Sequence, residues 1–207
     1  MKQLHIITPV KDSIELTLQT IESILSSDFT VPYHYCVYND FSTDENTVRL
    51  REASEKMGFE LINLSDLTDH PSPNYLLILQ TAQQKAIAAD AGLLIVESDV
   101  IVKKHTLQSL FDGALTRPDC GIAAAVTVDE QENINYPYLY AKGKEGKVFP
   151  EKKHLSFCCS LLTVSFLKAF DFHQLDPEKN WHDVTISHRS LEKGFTNYLF
   201  TTLTVWH

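Results

Sequence analysis

The first 128 residues alternate between strand-like and helix-like apolar patterns, and this alternation narrows the folds open to the chain. Short apolar runs at Leu4–Thr8, Tyr33–Tyr38, Phe59–Leu64, Leu93–Val96 and Cys120–Val126 have the length and composition of strands. Pro9 is expected to stop the first of them. The segments between them, 14–25, 44–57, 75–89 and 106–115, read as helices. In the first helix Ile14, Leu18, Ile21, Ile24 and Leu25 fall at helical spacing, and Asp12 or Ser13 is its expected cap. Asp44 opens the second helix and Gly58 closes it. The pattern predicts a mostly parallel sheet with helices on both faces. Ligands of such sheets bind outside the carboxyl ends of the strands. Pro9, Asp40 and Glu97-Ser98-Asp99 each follow such an end, so they are expected along one edge.

The most informative of these strand ends is Leu93-Leu94-Ile95-Val96-Glu97-Ser98-Asp99-Val100, where an apolar run stops in two carboxylates one residue apart. Such a pair repels itself unless a cation or water lies between. A hard divalent metal suits carboxylate oxygens. The competing reading is an ordinary polar turn built on Ser98 and Asp99.

Beyond Val128 the character changes. Residues 129–154 are polar, rich in Lys, Gly and Tyr, and without helical period. A strand at Asn135–Tyr140 and a turn at Gly143–Lys147 are expected inside an excursion that reads either as a surface hairpin or as a mobile lid. Phe157–Val164 is a further strand, followed by a short helix around 165–170. Trp181-His182-Asp183 opens a helix that runs to Glu192 and closes at Lys193-Gly194. Phe195–Trp206 holds one or two strands. There is no repeat and no linker, so residues 1–207 are expected to form one domain.

A net charge of -9 argues against nucleic acid and against non-specific docking on an anionic membrane. No apolar run approaches the roughly 20 residues that span a bilayer, and the amino terminus carries no secretion-signal pattern. The four cysteines lack any C-x-x-C spacing and read as reduced thiols of a cytoplasmic protein.

Five landmarks, Ile6-Ile7-Thr8-Pro9-Val10-Lys11-Asp12, Tyr38-Asn39-Asp40-Phe41-Ser42-Thr43-Asp44, Glu97-Ser98-Asp99, Trp181-His182-Asp183 and Val205-Trp206-His207, occur in an order and spacing that resembles a family 2 glycosyltransferase. The resemblance covers essentially the whole chain. It implies a single-domain, Rossmann-like nucleotide-diphosphosugar transferase (GT-A type) α/β fold, with residues 1–128 as the nucleotide-sugar-binding half and 129–207 as the acceptor side. It implies an inverting, metal-dependent hexosyltransferase that uses Mn²⁺ or Mg²⁺ and moves a sugar from a nucleotide-diphosphate donor, UDP-sugar favoured, to a hydroxyl acceptor. Surface polysaccharide synthesis in the cytoplasm, including peripheral work at the inner face of the membrane, is the setting it implies.

The same resemblance distributes roles. Thr8, Pro9 and Asp40 match nucleotide-binding positions, with Asp40 accepting from the base. Glu97 and Ser98 stand in the Asp-x-Asp motif on the nucleotide side, while Asp99 and His207 match the metal ligands. Asp183 matches the catalytic base, in competition with a role as helix cap. His182 stands where Glu is common. Arg189 matches a position near the diphosphate, and Lys85 is the nearest substitute for a basic residue expected on the preceding helix. Phe41 for Gly and Glu97 for Asp are departures. Two alternatives remain at this stage. One is a non-catalytic or degenerate nucleotide- or sugar-binding module. The other is a sugar nucleotidyltransferase, which the absence of Gly from Thr8-Pro9-Val10-Lys11-Asp12 disfavours.

Overall fold

Six of the nine strands point the same way in the computed structural model, which describes residues Met1–His207. The strands are β1 (Leu4–Val10), β2 (Tyr33–Asn39), β3 (Glu60–Asn63), β4 (Gly92–Val96), β5 (Ile101–Val102), β6 (Cys120–Val128), β7 (Val148–Pro150), β8 (Cys159–Leu162) and β9 (Thr196–Trp206). They form one sheet in the order β3-β2-β1-β4-β8-β6-β9-β5, with β7 also on β9. β1 to β4, β6 and β9 share a direction, and β5, β7 and β8 oppose it. The six helices are α1 (Ile14–Leu25), α2 (Asp44–Met57), α3 (Tyr75–Ala88), α4 (Thr106–Leu115), α5 (Val164–Ala169) and α6 (His182–Glu192).

Two cores lie on the two faces of the sheet. Alternate residues of β1 divide between them: Ile6 belongs to the core that holds Ile21 and Leu107, Ile7 to the one that holds Leu79 and Ile186. With helices on both faces, the central strands β4 and β6 are buried throughout.

Several local expectations change. β1 continues through Pro9 to Val10, past its last pairing with β4, at Ile7 and Ile95. It is locally an edge there, where a residue without an N–H is tolerated. Ser13 adopts left-handed backbone angles and makes no side-chain cap. Asp12 turns instead to the neighbouring turn, where its Oδ1 accepts from the Thr43 N–H at 2.9 Å and Asn46 Nδ2 at 3.0 Å. Thr43, not Asp44, caps α2. Gly58 closes α2 at φ +81, as expected of a glycine there.

The excursion 129–154 is packed down. Ile134, Tyr138 and Ala141 are buried in the core beneath α3 and α6, and β7 joins the sheet. Asn135–Tyr140 forms no strand, only an approach to the single bridge Val128–Ile134 followed by a short 3₁₀ turn at Leu139–Ala141. β9 is one long strand with a register break opposite Ala125 and Val126. Its first half pairs with β7 and its end with β5.

Candidate active site

Strand direction sets the site. The six co-directional strands end on one edge, and α3 and α6 begin there because each runs back down before the next strand. Glu97 follows β4. The antiparallel register of β4 and β8 pairs Val96 with Cys159, so Cys158 lies beside Glu97, whose N–H donates to the Cys158 carbonyl at 3.0 Å. The chain then turns through Ser98 and Asp99 into β5, which pairs with Val205 and Trp206. This pairing brings the acidic turn against the end of β9. His207 is fixed on both backbone groups, its N–H donating to the Val128 carbonyl at 3.2 Å and its carbonyl accepting from Asn135 Nδ2 at 2.7 Å.

The side chains therefore converge. Donor atoms of Glu97, Cys158 and His207 lie within 4.8 Å of one another, and His207 Nε2 is 3.8 Å from Asp99 Oδ2. Burial pushes the Glu97 carboxyl up; Asp99 and Asp183 add to this, and Cys158 and His207 oppose it. Burial, with Glu97 beside it, also raises the Cys158 thiol, which stays protonated and donates toward the carboxylate. The oxygens of Glu97 and Asp99 with the His207 imidazole make a donor set that suits Mn²⁺ or Mg²⁺. A cation there would relieve the crowding that raises Glu97.

Asp183 lies in the first turn of α6, half-buried, with Oδ1 accepting from the Val184 N–H at 2.8 Å. Its charge reaches Glu97, so the sheet edge and the helix start face one site. Between them stands Tyr75, the first residue of α3. Its hydroxyl is buried without a partner, and Glu97, Asp183 and Cys158 add to the burial that holds it protonated. The His182 ring stacks near it, with centroids 6.3 Å apart. Tyr75 and His182 line a cleft of about 760 Å³ that runs from His70 and Asn74 to Glu178 and Asn180.

The predicted nucleotide side looks different in detail. Asp40 is buried and both its oxygens are engaged: Oδ2 accepts from Ser72 Oγ and the Asn74 N–H, and Oδ1 from Asn74 Nδ2, each at 2.8 Å. The Thr8 hydroxyl faces the interior and bonds the Tyr35 hydroxyl at 2.9 Å. Pro9 and Ser98 are half-buried at the edge, and Asp99 is exposed. Neither expected basic side chain reaches the site. Lys85, in the last turn of α3, pairs with Glu60 at 3.2 Å, and Arg189 pairs with Glu192 at 2.5 Å on the outer face of α6. Both sit at the far ends of helices that start at the site.

Sequence reasoning missed Tyr75 and Cys158. Tyr75 carried only a helix-start signal. Cys158 becomes a neighbour of Glu97 through an antiparallel pairing that no local pattern announces.

No protein-family model matches this sequence, and no curated protein sequence matches it. Solved structures do. TarS of S. aureus (residues 1–349) superposes with a TM-score of 0.70 at 16% identity, over 99% of this chain and 60% of that one. The same protein in complex with UDP gives the same values. A mannosyltransferase from Pyrobaculum calidifontis, PcManGT, in complex with GDP-Man and Mn²⁺, gives 0.71 at 12% identity, over 99% of this chain and 56% of that one. The chain thus spans about 60% or less of these proteins. Across nearly all of its length, the chain has the mixed α/β fold of these glycosyltransferases.

Proposed function

We propose that the protein is an inverting, metal-dependent glycosyltransferase, of hexosyl type, that uses a nucleotide-diphosphate sugar. The observation that carries this reading is the approach of Asp183 to the Glu97, Asp99 and His207 group, with Tyr75 between them also lining the neighbouring cleft. The bound UDP and GDP-Man of the structural neighbours favour a nucleotide sugar as donor. UDP-sugar is the first choice, and the acceptor supplies a hydroxyl. Surface polysaccharide synthesis rests on the family resemblance alone. No helix is long and apolar enough to cross a membrane; peripheral work at the cytoplasmic face likewise rests on the resemblance.

Asp99 and His207 would hold the metal, with Glu97 serving it as a further ligand or partnering the ribose. The bound ion would neutralise the diphosphate and help it leave. Asp183 takes the proton of the acceptor hydroxyl as that oxygen bonds the anomeric carbon. The bond from that carbon to the diphosphate oxygen breaks on the opposite side, which inverts the centre. Tyr75 keeps its proton, and its unpartnered hydroxyl leaves a donor free for a ligand oxygen. Asp40 shapes the base pocket by fixing Ser72 and Asn74, and the edge at Pro9 and Ser98 supplies contacts to the nucleoside.

One observation favours a second reading, a module that binds without turnover: no Lys or Arg from α3 or α6 faces the place of the diphosphate. The test is thermal stabilisation by a panel of nucleotide sugars with and without Mn²⁺, followed by donor hydrolysis. The expected result is stabilisation by UDP or a UDP-sugar that weakens at least tenfold on chelation, about 1.4 kcal/mol. Asp99→Ala should weaken it more than Glu97→Ala. Equal affinity with and without chelator overturns metal dependence. Affinity without any hydrolysis or transfer selects the binding module.

A further inference from the structure

A second cluster of metal-ligating side chains lies at the opposite end of the sheet. His5 and His34 are paired neighbours near the starts of β1 and β2, and Cys36, two residues along β2, pairs with Glu60 at the start of β3. All four lie on the α3 face of the sheet, by the same alternation that sends Ile7 there. Donor atoms of His5, His34 and Cys36 fall within 4.8 Å of one another. His34 Nδ1 is 3.4 Å from His5 Nδ1 and 3.5 Å from Cys36 Sγ.

Those lengths carry a specific meaning. With metal–nitrogen bonds of about 2.0–2.1 Å and metal–sulfur bonds of about 2.3 Å, a tetrahedral site has N···N edges of about 3.3–3.4 Å and N···S edges of about 3.5–3.6 Å. The outer contacts fit too. His34 Nε2 is 3.2 Å from Glu60 Oε2, which in turn pairs with Lys85. A ligating histidine commonly donates its other N–H to a carboxylate in this way. With Nε2–H on Glu60, His34 Nδ1 keeps a lone pair that faces the His5 ring. His5 is almost wholly buried, with its Nδ1 turned toward His34 Nδ1. A cavity of about 460 Å³ bounded by Gln3, His5, His34, Lys85 and Ala88 offers an approach from solvent and room for a fourth ligand, water.

We propose that His5, His34 and Cys36 form a binding site for a borderline-soft divalent ion, Zn²⁺ in the first instance, that ties β1 to β2 at the edge away from the cleft. Sulfur and imidazole select such an ion over Mg²⁺, in contrast to the carboxylate group at the cleft. The ion replaces the proton that Cys36 donates to Glu60 at 2.8 Å, and that proton leaves on binding.

The test is a titration with Zn²⁺ in competition with a chromophoric chelator and in excess Mg²⁺, together with absorption spectra of the Co²⁺-loaded protein. The parent, Cys36→Ser, His34→Ala and Cys158→Ser are compared, because Cys158 is the other thiol near possible ligands. The expected result is one tight Zn²⁺ and a thiolate-to-cobalt charge-transfer band. Cys36→Ser should lose the band and Cys158→Ser should keep it. His34→Ala should bind Zn²⁺ at least about 100-fold more weakly, the upper end of what even an outer-sphere change costs. His34 is 59% exposed on its side chain, so its removal leaves the fold intact as judged by circular dichroism. Undiminished affinity in His34→Ala overturns the proposal. So does a band that disappears with Cys158, or the absence of competitive Zn²⁺ binding in the parent.

Discussion

Asp40 spends both carboxylate oxygens on the segment that leads into α3, and this makes it a structural pin whatever else it contacts. Three donors converge on it at 2.8 Å in a buried setting. Asp40→Ala strands the Asn74 amide and the Ser72 hydroxyl. We expect a loss of about 2–4 kcal/mol by denaturant unfolding, in line with hydrogen bonds to a buried charge. Faster proteolysis between Leu64 and Asn74 should accompany it. Unchanged stability with lost nucleotide affinity would instead assign Asp40 to the ligand. Asp12 is a second case of a local signal used at a distance. Its backbone and side-chain bonds to Thr43 and Asn46 hold its carboxyl below the usual range. A lowered folded value means that the contribution is full above the ordinary carboxylate pKa and fades as pH falls through the folded one. Asp12→Ala should therefore melt below the parent at neutral pH. The gap between their melting curves should close in acid, and a constant gap would refute the link.

At the scale of elements, much of the strand and helix pattern was legible. α1, α2 and α4 start and stop where apolar period and turn residues place them, because those signals are local. Glu97, Asp99 and Asp183 were legible as strand-end and helix-start residues for the same reason. The antiparallel insertion of β8, which puts Cys158 beside Glu97, was not legible, because pairing partners are chosen by tertiary contacts. The two-residue β5 was missed for the same reason. The excursion 129–154 misled through composition: its polar residues face solvent, while Ile134, Tyr138 and Ala141, spaced irregularly, reach the core. We expect amides near Ile134 and Tyr138 to exchange slowly in the unliganded protein, and those from Lys142 to Lys147 to exchange fast. Uniformly fast exchange across 129–154 would restore the lid.

On the scale of the whole molecule, the candidate site joins distant parts of the chain. β4 supplies Glu97, β9 presents His207, α3 presents Tyr75 and α6 presents Asp183. Folding of the sheet therefore brings Glu97, Asp99 and His207 together, whereas the start of α6 sets Asp183. These two assemblies can be separated by mutation. Asp183→Asn keeps the side-chain oxygen that accepts from the Val184 N–H, so α6 should survive. It removes the ability to take a proton. The variant is expected to fold and to bind donor nucleotide within a few-fold of the parent. Its transfer rate should fall by roughly two to four orders of magnitude. Nucleotide affinity and transfer rate, measured side by side, decide the matter. Retained transfer would reduce Asp183 to a helix-start residue. Loss of transfer together with an unfolded circular dichroism spectrum would make it structural, and the search for the base would pass to His182. That residue is buried against Tyr75, and burial lowers its pKa, so it is neutral and able to accept a proton at physiological pH.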